Sequence, residues 1–338
     1  MIGRGPVTDH AAGRPPAGAL SAAGAVELAV IERSGLIESH HLGAAAVVDA
    51  AGGILRAVGD VHATVYPRST LKPLQTMAVL ATGAVFDDDE LVLATASHCG
   101  SPAHLEVVER MLAADGRDAS ALQCPPQWPL GSREKAERMA AGLGPERVTM
   151  NCSGKHAAFL RASDALGVDP DTYLDPDHLL QRRIVETIEH WTGEAVRHSG
   201  LDGCGAPLHA TSLAGLARGI AGISSGSSLG AARLMRAVAA EPWAIDGPGR
   251  ANTLAIERLG VLAKIGAEGL VVIGTPEGAA VAVKVLDGSM RATTPVALAL
   301  LVAEGLVDAE AAAEVADAIT EPVLGGDTVV GGLRVTLR

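Results

Sequence analysis

Aromatic side chains are nearly missing from this 338-residue chain, which holds two Tyr, two Phe and three Trp. Its core must therefore be built from Val, Leu, Ile and Ala, with Trp128, Trp191 and Trp243 as isolated large groups. Positive charge is scarce as well. Lys and Arg number 27 against 39 Asp and Glu, a formal net charge of -12 with no basic cluster. That excludes a nucleic-acid partner, because a phosphate backbone is held by a basic surface. Cysteine is limited to Cys99, Cys124, Cys152 and Cys204. A chain of this size does not need stapling, so free thiols in a reducing cytoplasm are expected. No run of eighteen apolar residues exists, and no membrane span is expected. Residues 1–23 are rich in Gly, Ala and Pro, with Arg4 and Arg14 but no continuous apolar stretch. They read as a disordered leader rather than a signal peptide.

What the chain does have is apolar mass: 48% hydrophobic against 20% charged residues, enough for a large core. Alternating apolar segments predict strands at 26–32, 43–49 and 54–58, and again at 261–265, 270–274 and 279–285. Helical spacing covers 88–96, 104–114, 134–143, 157–166, 179–192, 213–220 and 229–240. Strands from both ends of the chain can pair in one antiparallel sheet with helices on its faces, an α/β arrangement with a helical subregion. No linker divides it, so 24–338 reads as a single domain.

The most informative stretch is Ser69-Thr70-Leu71-Lys72. Positions i and i+3 share a helix face, so the lysine nitrogen can reach and activate the serine hydroxyl. The lysine must first lose its charge. Bringing an amine from about 10.4 to near 7 costs on the order of 4 kcal/mol, which takes burial or a neighbouring cation such as Arg68, Lys155 or Lys264. An apolar run after Pro73 reads as a buried helix, whose free N–H groups could receive an oxyanion. Pro73 itself biases Lys72 away from the right-handed helical region.

Further constellations follow. Ser97-His98 closes an apolar element. In Asn151-Cys152-Ser153-Gly154-Lys155-His156, Cys152 and Lys155 repeat the i, i+3 spacing, and Cys204 can return a second thiol from a glycine-flanked loop. Two thiolates and a neutral amine suit a tetrahedral Zn2+ with one open position, with His156 as a competing ligand and two unrelated buried cysteines as the alternative. Lys264, on a late strand, can face a serine across a cleft, whereas Arg250 in a Gly-Pro-Gly turn can hold a carboxylate through a bidentate pair or simply be solvated.

Read together, Arg68-Ser69, Lys72-Pro73, Gln75, Ala96-Ser97-His98, Asn151 to His156, Asp202-Gly203-Cys204 and the Lys264 strand resemble the asparaginase II family, the rhizobial-type L-asparaginases. The resemblance implies a fold similar to serine β-lactamases and glutaminases, and hydrolysis of L-asparagine to L-aspartate and ammonia. It implies two Ser-Lys pairs, Ser69 with Lys72 and Ser97 with Lys264, and Zn2+ ligands at Cys152, Lys155 and Cys204. Arg68, His98, Asp202 and Arg250 are the expected substrate-binding residues, with Asp202 for the substrate amine and Arg250 for its carboxylate. A homodimer in the cytoplasm with a small-molecule substrate is the expected state. The Cys99-Gly100 and Cys124 to Gln127 segments depart from the family pattern. A metal- or amino-acid-binding module without catalysis, and an enzyme acylated by β-lactams, are the competing expectations.

Overall fold

The computed structural model describes residues 18–337. The chain opens on β1 (Val26–Arg33), β2 (Leu36–Val48), β3 (Ile54–Val58) and the short β4 (Thr64–Val65). Helices α1 (Lys72–Leu80), α2 (Asp88–Thr95), α3 (Pro102–Ala114), α4 (Ser132–Ala140), α5 (Ser153–Ala165) and α6 (Leu179–Thr192) follow. After β5 (Ser199–Leu201), β6 (Pro207–His209) and β7 (Thr211–Ser212) come α7 (Leu213–Ser224), α8 (Leu229–Ala240) and α9 (Ala251–Leu259). The chain ends with β8 (Leu262–Gly266), β9 (Leu270–Gly274), β10 (Ala280–Val285), α10 (Thr293–Ala303), α11 (Ala309–Ile319), β11 (Val323–Gly325) and β12 (Thr328–Val335).

The main sheet is antiparallel throughout, in the order β11-β12-β1-β2-β10-β9-β8, with β3 also paired to β2. Both ends of the chain thus meet in one sheet, as the alternating segments predict. All five residues of β9 are buried, so both faces are covered. α7 covers one, packing on β2, β9 and β10, and α10 covers the other, backed by α11. The helical subregion is organised around α2, which packs on α5 and α8, and α1, which packs on α6. This is the expected α/β architecture of a sheet with packed helices and a helical subregion.

Nine elements escape the sequence reading: α9, α10, α11, β12 and the short β4, β5, β6, β7 and β11. α10 reads TTPVALALLVA and is buried nearly all round, so it carries no one-sided periodicity. β12 contains Gly331 and Gly332 and is half-exposed, which erases alternation. α9 and α11 went unread beside them. Of the expected leader, residues 1–17 lie outside the described residues. From Gly18 the chain is already tied to β4, Thr64 N donating to Gly18 O and Leu20 N to Thr64 O.

Two glycines set the approach of the elements that carry the site. A Cβ on Gly154 would stand 2.5 Å from Leu93 Cγ and 2.7 Å from Leu93 O, so α5 lies against α2 only because no side chain intervenes. A Cβ on Gly266 would meet Pro67 O at 3.0 Å and Thr70 N at 3.1 Å, which is where β8, the sheet edge, presses on the turn before α1. That turn, Arg68–Leu71, is a short 3-10 helix leading directly into α1.

Candidate active site

Ser97 stands at the junction of three elements. α2 starts on a capping box of Asp87 and Glu90 and stops where Ala96 turns extended. Residues 97–99 are then held by backbone bonds: Ser97 N donates to Ile245 O, His98 N to Asn151 O and Cys99 N to Asp246 O. With its backbone fixed, the Ser97 hydroxyl receives two lysines. Lys264 Nζ, from β8, lies 2.9 Å from Ser97 Oγ, and Lys72 Nζ, from the first residue of α1, lies 3.1 Å away. Lys72 adopts the right-handed helical conformation despite Pro73, whose missing N–H falls in the first turn where no partner is needed.

Both amines are buried. Burial, followed by the charge of Lys72, lowers Lys264 from 10.5 to about 7. Asp246, buried and paired with Arg250 at 2.5 Å, acts in the opposite sense on Lys264. Lys264 is thus the amine in this cluster that a neutral solution can leave uncharged and basic. Lys72 also donates to the Ala96 carbonyl and lies 3.2 Å from Cys152 Sγ, linking the serine cluster to a group of thiols.

That second group holds Cys152, Cys204 and Lys155, with Lys155 Nζ 3.2 Å from Cys204 Sγ. The interaction of the two sulfurs lowers Cys204 and, together with burial, raises Cys152. Burial opposes the charge of Lys155, but the Cys204 and Cys152 sulfurs outweigh it and push the amine up to about 12. His156 hydrogen-bonds Tyr173 Oη through Nδ1 at 2.7 Å, and its buried Nε2 has no partner among the described residues. Among those residues, no three His, Cys, Asp or Glu side chains form a metal-binding group, so Lys155 would have to be the third donor. Two sulfurs and one amine, all buried and with Lys155 against Cys204, form a soft N/S donor set that fits a zinc-type ion. All four cysteines are unbridged.

The remaining expected residues fall in different places. Ser69 lies half-buried in the turn before α1, and its hydroxyl makes no hydrogen bond among the described residues; the expected bond to Lys72 is not formed. Arg68 does not flank Lys72. It adopts a left-handed backbone, φ 52°, and its Nε donates to Asp202 at 2.8 Å. A non-glycine residue held there costs about 1–3 kcal/mol, a strain found at functional sites. Arg68 and Asp202 therefore stand together beside Ser69 as a cation and an anion. His98 is wholly buried, held neutral by burial and by His104 and Lys72, and accepts or donates to Ser153 Oγ at 2.9 Å. It forms the wall behind Ser97, stacked on His104. Arg250 faces Asp246 instead of open solvent. Asp246 itself escapes the sequence reading; its i, i+4 spacing to Arg250 is the one signal that could have marked it.

A family model for L-asparaginase II matches residues 29–335. The chain belongs to the L-asparaginase II family. Membership makes this asparaginase II protein an amide hydrolase with a small-molecule substrate. No curated protein is similar enough to match it. Among solved structures, it is similar to a β-lactamase from Mycobacterium bovis at 16% identity and a TM-score of 0.44, over 77% of this chain and 94% of that one. It is similar also to Mglu in its glutamate form, at 14% identity and a TM-score of 0.45, over 78% of this chain and 61% of that one. Among the described residues of this family member, no helix is long and apolar enough to cross a membrane.

Proposed function

We propose that this amide hydrolase converts L-asparagine to L-aspartate and ammonia through an acyl-enzyme built on its serines and lysines. The observation that carries the reading is the bracketing of Ser97 Oγ by Lys264 Nζ at 2.9 Å and Lys72 Nζ at 3.1 Å, with Lys264 lowered to about 7. Such a chain can pass a proton from one end to the other. Ser69 is the nucleophile: its hydroxyl is the uncommitted one, it is more accessible than Ser97, and it precedes Lys72 by three residues. A catalytic hydrogen bond can tighten only once substrate is bound.

In the first step the Ser69 oxygen attacks the side-chain amide carbon, and its proton moves through Lys72 and Ser97 to neutral Lys264. The tetrahedral oxyanion collapses, the C–N bond breaks, and a returned proton leaves with ammonia. Water then attacks the ester, with the same relay accepting its proton, to release L-aspartate and restore Ser69. Arg68 and Asp202, 2.8 Å apart, match the carboxylate and ammonium of a free amino acid.

Cys152, Lys155 and Cys204 would hold Zn2+, with Lys155 as a neutral amine. A bound ion there supplies positive charge that orients substrate and tunes neighbouring amines. Cys152 touches Lys72, so the donor set is positioned against the proton relay. The test is ammonia release from L-asparagine and L-glutamine, with and without a chelator. Release from L-asparagine supports the reading; binding seen as thermal stabilisation without any release contradicts it.

A further inference from the structure

Of the three soft donors, Cys152 caps α5 and Lys155 lies in its first turn, whereas Cys204 belongs to no helix. It sits between Gly203 and Gly205, the latter at φ 86°, in a turn closed by Gly205 N donating to Asp202 O and Asp202 N to Ala206 O, both at 2.9 Å. A sulfur on so short a loop is held in place by the side chains around it. One of these, His156, follows Lys155 on α5 and is wholly buried.

The hydrogen bonds around His156 fix which ring nitrogen carries its proton. Gln123 N donates to Tyr173 Oη at 2.9 Å, and the same oxygen lies 2.7 Å from His156 Nδ1. Tyr173 is wholly buried, and burial raises its phenol above the ordinary range, so the hydroxyl keeps its proton and needs an acceptor. Among the described residues, Nδ1 is the acceptor in reach. The hydroxyl therefore donates to Nδ1, and the single ring proton sits on Nε2. That buried nitrogen has no hydrogen bond among the described residues, and a buried N–H is costly until it meets an acceptor. The group that bears on it is Cys204. Burial lowers His156 while the Cys204 sulfur raises it, and Cys152, Lys155 and His156 together lower Cys204 against its own burial.

We propose that His156 is a positioning residue for the soft donor set, its Nε2–H directed to the Cys204 sulfur, and that it is not itself a metal ligand. Gln123, Tyr173 and His156 then form one line of donors that ends on the sulfur, each fixing the next. Neither ring nitrogen keeps a lone pair for an ion, since Tyr173 occupies that of Nδ1 and Nε2 carries the proton. The alternative of His156 as a competing ligand is thereby set aside. Holding the sulfur also holds its loop, because Asp202, two residues before Cys204, is the carboxylate that Arg68 meets at 2.8 Å. The proposal rests on the Zn2+ donors named above and not on turnover.

Titration of the full chain with Zn2+ and Co2+ tests this in wild type, His156→Leu, His156→Gln and Tyr173→Phe. Loss of the donor in His156→Leu should weaken Zn2+ binding by about 10–100-fold, the usual effect of removing such a partner. His156→Gln, whose amide N–H can replace Nε2–H, should recover most of that affinity, a rescue that a role in packing alone would not give. Its Co2+ absorption bands should match those of wild type, because the three donors are unchanged. Tyr173→Phe lets the ring proton move to Nδ1 and should also lose affinity. It and His156→Gln carry the test should His156→Leu not fold. Zn2+ held by His156→Leu or Tyr173→Phe as tightly as by wild type would overturn the proposal, as would Co2+ bands that shift in His156→Gln, the sign of a lost imidazole ligand. So would a wild type that takes up neither ion. Ammonia release plays no part in these readings, so failure of the proposed reaction would leave them decisive.

Discussion

Lys264 Nζ lies 2.9 Å from Ser97 Oγ, a contact that joins positions 167 residues apart and ties the edge strand of the sheet to the end of α2. It places the lysine whose charge is least favoured against a hydroxyl that a second lysine also reaches.

The pH dependence follows from that pairing. Lys264 must be neutral to accept a proton, and its value of about 7 means that the active form grows as pH rises through 7. A rate profile of kcat/KM should show an ascending limb centred near pH 7. Lys264→Arg, which keeps a permanent charge, should lower activity by about 10²–10⁴-fold and abolish that limb. The linkage to stability has a definite sign. The folded protein binds fewer protons at Lys264 than the unfolded chain, so this group makes the fold more stable as pH rises from about 7 towards 10.5. Chemical denaturation of wild type and Lys264→Met across that range checks it: the rise should be smaller in the variant.

Ser69 and Ser97 should be separable by mutation. Ser69→Ala should lose about 10³-fold or more of kcat with its circular dichroism unchanged, because a half-buried hydroxyl without a partner contributes little to the fold. Ser97→Ala should slow acylation while leaving Ser69 able to form an adduct. Rapid-quench mass spectrometry with L-asparagine distinguishes the two.

Removal of the soft donors should report on metal. Elemental analysis of protein grown with zinc should find about one ion per chain in wild type and a marked loss in Cys152→Ala and Cys204→Ala, as expected when one of three donors is removed. Absence of zinc from all three proteins would dismiss the ion.

The packing of α5 on α2 leaves no room at residue 154. Gly154→Ala brings a methyl to 2.5 Å from Leu93 Cγ and should destabilise by about 1–3 kcal/mol, the usual effect of overpacking. Thermal melting measures the loss. Because α5 carries Lys155 and starts beside Cys152, metal content should fall as well.

The sheet was legible because its strands alternate and its ends are complementary, and the capped, one-sided helices were legible for the same kind of reason. α10, apolar on every side, gave no such signal. At the site, the spacing of Ser69 and Lys72 pointed to the turn before α1, and the family resemblance named Ser97 and Lys264, which the fold brings to 2.9 Å. What spacing could not show is that Lys72 turns to Ser97, 25 positions away, rather than to Ser69. That choice is made by tertiary packing, through the Ala96 carbonyl and Cys152 on either side of the amine. The left-handed backbone of Arg68 was equally invisible, since an arginine gives no hint of positive φ.

The central claim is that Ser69 becomes acylated while the Lys72–Ser97–Lys264 chain removes its proton. Intact-mass spectrometry of protein quenched within its first turnover on L-asparagine tests it most directly. An aspartyl adduct that maps to Ser69 and is missing from Ser69→Ala is the expected result. Ammonia released at the wild-type rate by Ser69→Ala, with no adduct in either protein, would contradict it.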